Sequence, residues 1–104
     1  MNLSPRMDLN LVRVFVAIYE TGSVTAASER LFITQPTVSY SLAKLREALN
    51  DRLFIKTRGG MAPTPCAKQT YERFSLALAH ISDAVETTRK FVPHLSDRRF
   101  RVAF

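Results

Sequence analysis

The sequence predicts a mainly α-helical chain of three short helices, a small β-hairpin and one long helix. Three observations carry that expectation. Apolar residues recur at 3–4 spacing in three successive stretches, each preceded by a capping residue: Asp8, Ser23 and Thr34. A strand-like run, "LFIK", is followed by Gly59-Gly60, a hairpin turn signal. Thr64-Pro65 then opens a stretch with no further breaker until Pro93.

Asp8 caps the first helix, in which Leu11, Val12, Phe15, Ile18 and Tyr19 share a face and Gly22 supplies the stop. Ser23 caps the second, "VTAASERL", whose small Ala27 and Ser28 beside Leu31 allow another helix to approach closely. Thr34 caps the third, "QPTVSYSLAKLREALN". Its Val38, Leu42, Leu45 and Leu49 step by 4, 3 and 4, a narrow apolar stripe. Short helices joined by such tight turns describe a helix-turn-helix core. Leu53 to Lys56 and Met61 to Pro63 form the two strands of a wing, with Lys56 and Arg58 at its tip. The fold class is therefore a winged helix-turn-helix, a three-helix core with a small β-wing, followed by a long linker helix.

Along the long helix Ala67, Tyr71, Phe74, Leu78, Ile81, Val85, Thr88 and Val92 alternate steps of 4 and 3, the pattern of a coiled-coil seam. The helix would be about 42 Å long, more than a small winged core can cover. A second copy is the natural partner, with Tyr71, Phe74, Leu78, Ile81, Val85 and Val92 as the dimerisation seam. The tail "DRRFRVAF" ends on a strand-like run with nothing to pair with. The expected organisation is a core over 1–63, a linker helix over 64–93, and over 94–104 the start of a further domain.

Charge narrows the function. Fifteen Lys+Arg against nine Asp+Glu give +6 and an isoelectric point near 10.1, favouring an anionic partner. Residues 30–68 concentrate it: Arg30, Lys44, Arg46, Arg52, Lys56, Arg58 and Lys68 stand against only Glu47 and Asp51. On the third helix, Pro36, Tyr40, Ala43 and Glu47 lie opposite the apolar stripe, flanked by Thr37, Ser39 and Lys44. In a helix that enters the major groove, N-terminal residues meet base edges. Gln35 can pair with the adenine N6/N7 edge, Ser39 and Tyr40 can donate to base or phosphate oxygens, and the Pro36 ring can pack on a thymine methyl. A merely solvated helix face is the competing reading, and Glu47 weighs toward it.

Other chemistry has little support. Cys66 is the single cysteine, so there is no internal disulfide, and no resolving partner for a redox role is evident. His80 and His94 are isolated, and no HExxH, CxxC, P-loop or GxSxG pattern is present, so neither an enzyme nor a cofactor or metal site is expected. No apolar run approaches the ~20 residues of a membrane span, and "MNLSPRMDLN" is not a secretory signal, so the expected location is the cytoplasm.

Residues 8 to about 92 resemble the N-terminal half of the LysR-type transcriptional regulators, through "DLNLVRVFVAIYETGSVTAASERL", "TQPTVSYSLAKLREAL", "RLFIKT" and "PTPCA". The family's Ser/Thr-Gln-Pro-x-Val-Ser core matches at Thr34, Gln35, Pro36, Val38 and Ser39, and its Leu-Phe wing strand at Leu53 and Phe54. The resemblance implies binding of double-stranded promoter DNA as a homodimer, with tetramers in the full-length protein. It implies a small-molecule co-inducer taken up by a C-terminal domain that this chain lacks. It gives base or groove contact to Gln35, Pro36 and Ser39, and phosphate or minor-groove contact to Thr34 and the wing cations Lys56 and Arg58. From their places on the third helix, Tyr40 joins the first set and Thr37 and Lys44 the second. Two positions depart from the pattern: Ser28 stands where alanine is usual, and Arg46 where glutamate is frequent. The wording is most similar to members controlling nodulation or aromatic-degradation genes. The rival from another class is a protein-interaction module whose coiled coil is the working element.

Overall fold

The computed structural model describes residues 7–91. The elements run α1 (Leu9–Thr21), α2 (Val24–Leu31), α3 (Gln35–Leu49), β1 (Phe54–Thr57), β2 (Gly60–Pro63) and α4 (Pro65–Phe91). The expected strand in 94–104, the seam position Val92 and His94 lie outside the described residues.

Caps set the helix starts. The Asp8 carboxylate accepts the Leu11 N–H at 2.9 Å, and the Ser23 hydroxyl accepts that of Ala26 at 3.1 Å. Thr34 accepts from Thr37 at 3.2 Å and Thr64 from Ala67 at 3.1 Å. Each bond satisfies a first-turn donor with no partner inside the helix, and such caps contribute about 1 kcal/mol apiece. Left-handed residues end the first three helices: Gly22, Phe32 and Asn50, at φ 70°, 59° and 52°.

The core gathers Leu11, Val14, Phe15 and Ile18 of α1, Ala27 of α2, Val38, Leu42 and Leu45 of α3, Leu53 and Phe54 at the wing, and Ala67 of α4. Phe15 has no exposed surface. Its ring centroid lies 5.3 Å from that of Phe54 and 5.3 Å from that of Phe74, the latter nearly edge-on at 79°. Buried Ser28 is satisfied within its own helix, where its hydroxyl donates to the Thr25 carbonyl at 2.7 Å.

The wing differs from the expected turn. β1 and β2 pair antiparallel with Thr57 opposite Gly60, so the two turn residues are Arg58-Gly59 and Gly60 belongs to a strand. Gly60 serves a close approach instead. Its φ is 125°, and a Cβ there would sit 2.4 Å from the Gly22 carbonyl oxygen. That oxygen also accepts the Met61 N–H at 2.9 Å, docking β2 on the end of α1.

The seam of α4 divides. Ala67 is fully buried, the Tyr71 ring lies parallel to Tyr19 at 4.0 Å and 5°, and Phe74 packs on Phe15. Tyr71 and Phe74, expected at a dimer seam, thus face their own core. A 3–4 stripe records that a face is covered, not which chain covers it, and α1 covers the first turns. Further along, Leu78 is half-buried, whereas Ile81 and Val85 are 38% and 52% exposed.

A polar bridge runs beside the rings. The Glu20 carboxylate accepts the Tyr71 hydroxyl at 2.6 Å and the Arg30 guanidinium at 2.6 Å, joining α1 to α4 and α2. These bonds, from Tyr71 first and then Arg30, hold the Glu20 carboxyl below its usual value of 4.5. The same hydrogen bond raises the Tyr71 phenol above 10.0.

Two outcomes are expected. Gly60→Ala should destabilise the domain by about 1–3 kcal/mol in urea unfolding, since a Cβ meets backbone in a left-handed conformation. A depressed carboxyl contributes stability above its unfolded value and loses it as pH falls through the folded one. A raised phenol contributes below its unfolded value and loses it as pH rises through the folded one. Wild type should therefore exceed Glu20→Gln by at most about 1 kcal/mol between pH 4.5 and 10.0, fading outside that window. A difference unchanged at about pH 3 contradicts this assignment.

Candidate nucleic-acid interface

Burial of one narrow stripe decides what α3 presents. Val38, Leu42 and Leu45 are at most 4% exposed, while Thr34, Gln35, Pro36, Thr37, Ser39, Tyr40, Ala43, Lys44 and Glu47 are exposed. At ~100° per residue, Pro36, Ala43 and Glu47 form the crest opposite the stripe, with Gln35 and Ser39 on one flank and Thr37 and Lys44 on the other.

Each flank borders a groove. The first, of about 550 Å³, is lined by Gln35, Ser39 and Arg46 of α3, by Ser23 and Thr25 at the N-terminus of α2, and by Arg52, Lys56 and Gly60 of the wing region. The second, of about 490 Å³, is lined by Thr37, Tyr40 and Lys44 together with Asn10 and Arg13 of α1. The Lys44 ammonium lies 5.3 Å from the Tyr40 ring centroid, which steadies both side chains. Of the residues singled out in the sequence, Gln35, Ser39 and Lys56 thus share one groove and Thr37, Tyr40 and Lys44 the other. Pro36 lies on the crest, and Arg58 stands exposed in the wing turn, lining neither groove.

Thr34 and Thr37 are engaged with each other. Their hydroxyls lie 2.8 Å apart while Thr34 caps the helix. A hydroxyl has one donor and two acceptor sites, so capacity for a further partner is left.

Sequence reasoning missed four groove residues. Arg52 was one of the counted cations but had no role assigned, and Thr25 had a usable signal in its place just after the Ser23 cap. Asn10 and Arg13 carried none, because only the packing of α1 on α3 brings them beside Lys44.

Arg46 has two of its donors engaged within the chain. Its Nε donates to the Arg52 carbonyl at 2.8 Å and its Nη2 to the Phe54 carbonyl at 2.9 Å, clamping the last turn of α3 to β1. Asp51 completes the anchorage. One carboxylate oxygen accepts the Leu53 N–H at 2.8 Å and the Thr64 hydroxyl at 2.7 Å, and the Thr64 N–H donates to the Leu53 carbonyl at 2.9 Å. These bonds hold buried Leu53 at a positive φ of 66°. The cationic wing is therefore fixed relative to α3 at both ends of the connection.

The chain is similar to known proteins in sequence and in fold. A family model described as "Bacterial regulatory helix-turn-helix protein, lysR family" matches residues 9–68. The HTH-type transcriptional activator NagR of Ralstonia sp is 44% identical over 97 residues, covering 93% of this chain and 32% of its own length. Nodulation protein D of Rhizobium leguminosarum bv. trifolii is 35% identical over 96 residues, covering 92% of this chain and 30% of its own length. The chain thus spans about a third of the length of the curated relatives it matches. Among solved structures, the BenM_DBD/catB site 1 DNA complex superposes with a TM-score of 0.78 at 29% identity, over 83% of this chain and 97% of that one. The probable transcriptional regulator PA0477 from Pseudomonas aeruginosa gives 0.76 at 34% identity, over 81% of this chain and 28% of that one.

Removing the clamp should free the wing without unfolding the core. In Arg46→Ala, amide exchange across β1 and β2 should quicken on the order of tenfold while amides of α1 keep their protection. Arg46→Lys should not restore it, because a single ammonium does not reproduce the guanidinium fork. Unchanged wing exchange in Arg46→Ala would sink the clamp assignment.

Proposed function

Because the chain belongs to the lysR family of bacterial regulatory helix-turn-helix proteins, we propose that it is the sequence-specific DNA-binding part of a cytoplasmic transcriptional regulator. The observation that carries this reading is the exposed face of α3 with a cation-bearing groove on each side. A major groove admits one helix and is bordered by two phosphate strands. With α3 inserted, Gln35 and Ser39 meet base edges and the Pro36 ring faces the groove floor. Lys56 and Arg52 then meet one strand, Lys44 and Arg13 the other, and Arg58 reaches beyond them from the wing turn. The DNA complex of the BenM neighbour supports the reading by likeness of fold. Among the described residues no helix is long and apolar enough to cross a membrane.

Leu78, Ile81 and Val85 continue the α4 stripe past the reach of the core. A second copy of α4 laid on them gives a homodimer, whose two recognition helices address two half-sites. Tetramer formation and co-inducer binding belong to the full-length regulator.

Binding should weaken with salt, log K falling by ~0.9 per neutralised phosphate against log salt. Gln35→Ala should lower the ratio of specific to non-specific affinity by about 1–3 kcal/mol. Lys56→Ala should weaken all duplexes alike and flatten the salt slope by about one phosphate. Gel shifts on a selected and a scrambled duplex, at two salt concentrations, read all three. A ratio untouched by Gln35→Ala refutes base reading, and retention indifferent to sequence and salt favours the protein-interaction module.

A further inference from the structure

We infer that the Glu20 carboxylate is a positioning latch that fixes the angle at which α4 leaves the winged core, and with it the half-site spacing the dimer accepts. The inference rests on the DNA-binding dimer proposed above. Three helices meet at this one group: α1 carries it, and Arg30 of α2 and Tyr71 of α4 each bond a different oxygen at 2.6 Å. The Tyr71 ring is held flat against Tyr19, one residue before Glu20, so hydroxyl and ring fix the same side chain in two directions.

The bridge is poorly placed to act through stability. The Arg30 and Glu20 side chains are 48% and 38% exposed, where solvent screens most of the attraction. Its geometric leverage is large. Past Tyr71 the helix runs about 30 Å to Phe91. A swing of roughly 6° at the latch moves that end by about 3 Å, close to one base-pair step along DNA. The stacked Tyr19 and Tyr71 faces give little resistance to such a swing, because parallel faces slide over one another. Two bonds to opposite oxygens of one carboxylate oppose the sliding and refer it to α2, which borders the same groove as α3.

Tyr71→Phe is the discriminating variant, since it keeps the ring and its stacking and removes only the hydroxyl. Duplexes selected from a random pool by the wild-type chain are re-spaced in single base-pair steps. In Tyr71→Phe the preference for the selected spacing over its neighbours should fall about threefold or more, with affinity for a single half-site unchanged. A spacing profile as sharp as wild type overturns the latch. A second measurement needs no DNA. Spin labels at Glu29→Cys and Asp83→Cys, in a Cys66→Ser background diluted with unlabelled chain, report the separation of α2 and α4. Tyr71→Phe should broaden that distance distribution or shift it by about 3 Å. An unchanged distribution overturns the latch. If the wild-type chain binds no duplex, the DNA reading fails, and the label distances alone decide the latch.

Discussion

The ring of Phe15 is the contact on which the other elements depend. It projects from α1, and Phe54 of the wing and Phe74 of α4 both close on it, with centroids 5.3 Å away in each case. Three segments far apart in sequence are thereby referred to one fully buried side chain. Such aromatic pairs contribute about 0.5–1.5 kcal/mol each beyond their buried area. The larger consequence is geometric. A close-packed interior deforms little, so the wing and the first turns of α4 are anchored on α1. α3 joins the same frame through Val38, Leu42 and Leu45, which belong to the same core cluster.

Local chemistry made most of the fold legible. Asp8, Ser23, Thr34 and Thr64 announce helix starts because a first-turn N–H needs an acceptor, and short side chains nearby can supply one. The crest of α3 followed from which three residues are buried. The features that escaped reading are all non-local. Gly60 looks like half of a turn, yet its lack of a side chain is used against Gly22, a residue 38 positions earlier. Leu53 has no intrinsic liking for a positive φ and adopts it because Asp51 and Thr64 hold its backbone. Tyr71 and Phe74 carry the correct periodicity for a seam, but the stripe is silent about whose surface lies over it. In the candidate interface, Gln35, Ser39 and Lys56 could be named from sequence, whereas Arg13 required the helices to be packed.

Charge counting reads differently once partners are known. Of the cations concentrated in residues 30–68, Arg30 is bonded to Glu20 and Arg46 to two carbonyls of the wing connection. Both are structural. Arg52, Lys56 and Arg58 form no ion pair among the described residues, and all three belong to the wing or its approach. Beside Lys44 on α3 and Lys68 on α4, the basic segment therefore combines cations that hold the wing and core in place with cations the wing presents. The family resemblance implies glutamate as a frequent residue where this chain has Arg46. A guanidinium there can reach carbonyls of the wing connection, which a carboxylate cannot do, having no proton to give.

Rigidity also explains the unusual opening of α3. Thr34 is the cap, Gln35 the first helical residue and Pro36 the second, where the missing N–H costs nothing because first-turn donors have no partner inside the helix. The pyrrolidine ring removes a backbone torsion from the turn that would otherwise fray most readily. The paired hydroxyls of Thr34 and Thr37 restrain the same turn from the other side. In the base-reading role proposed for Gln35, a side chain loses affinity for every degree of freedom it must surrender on binding. Gln35 sits between a cap and a proline, so its backbone has already surrendered them, and only its own rotamers are left to order.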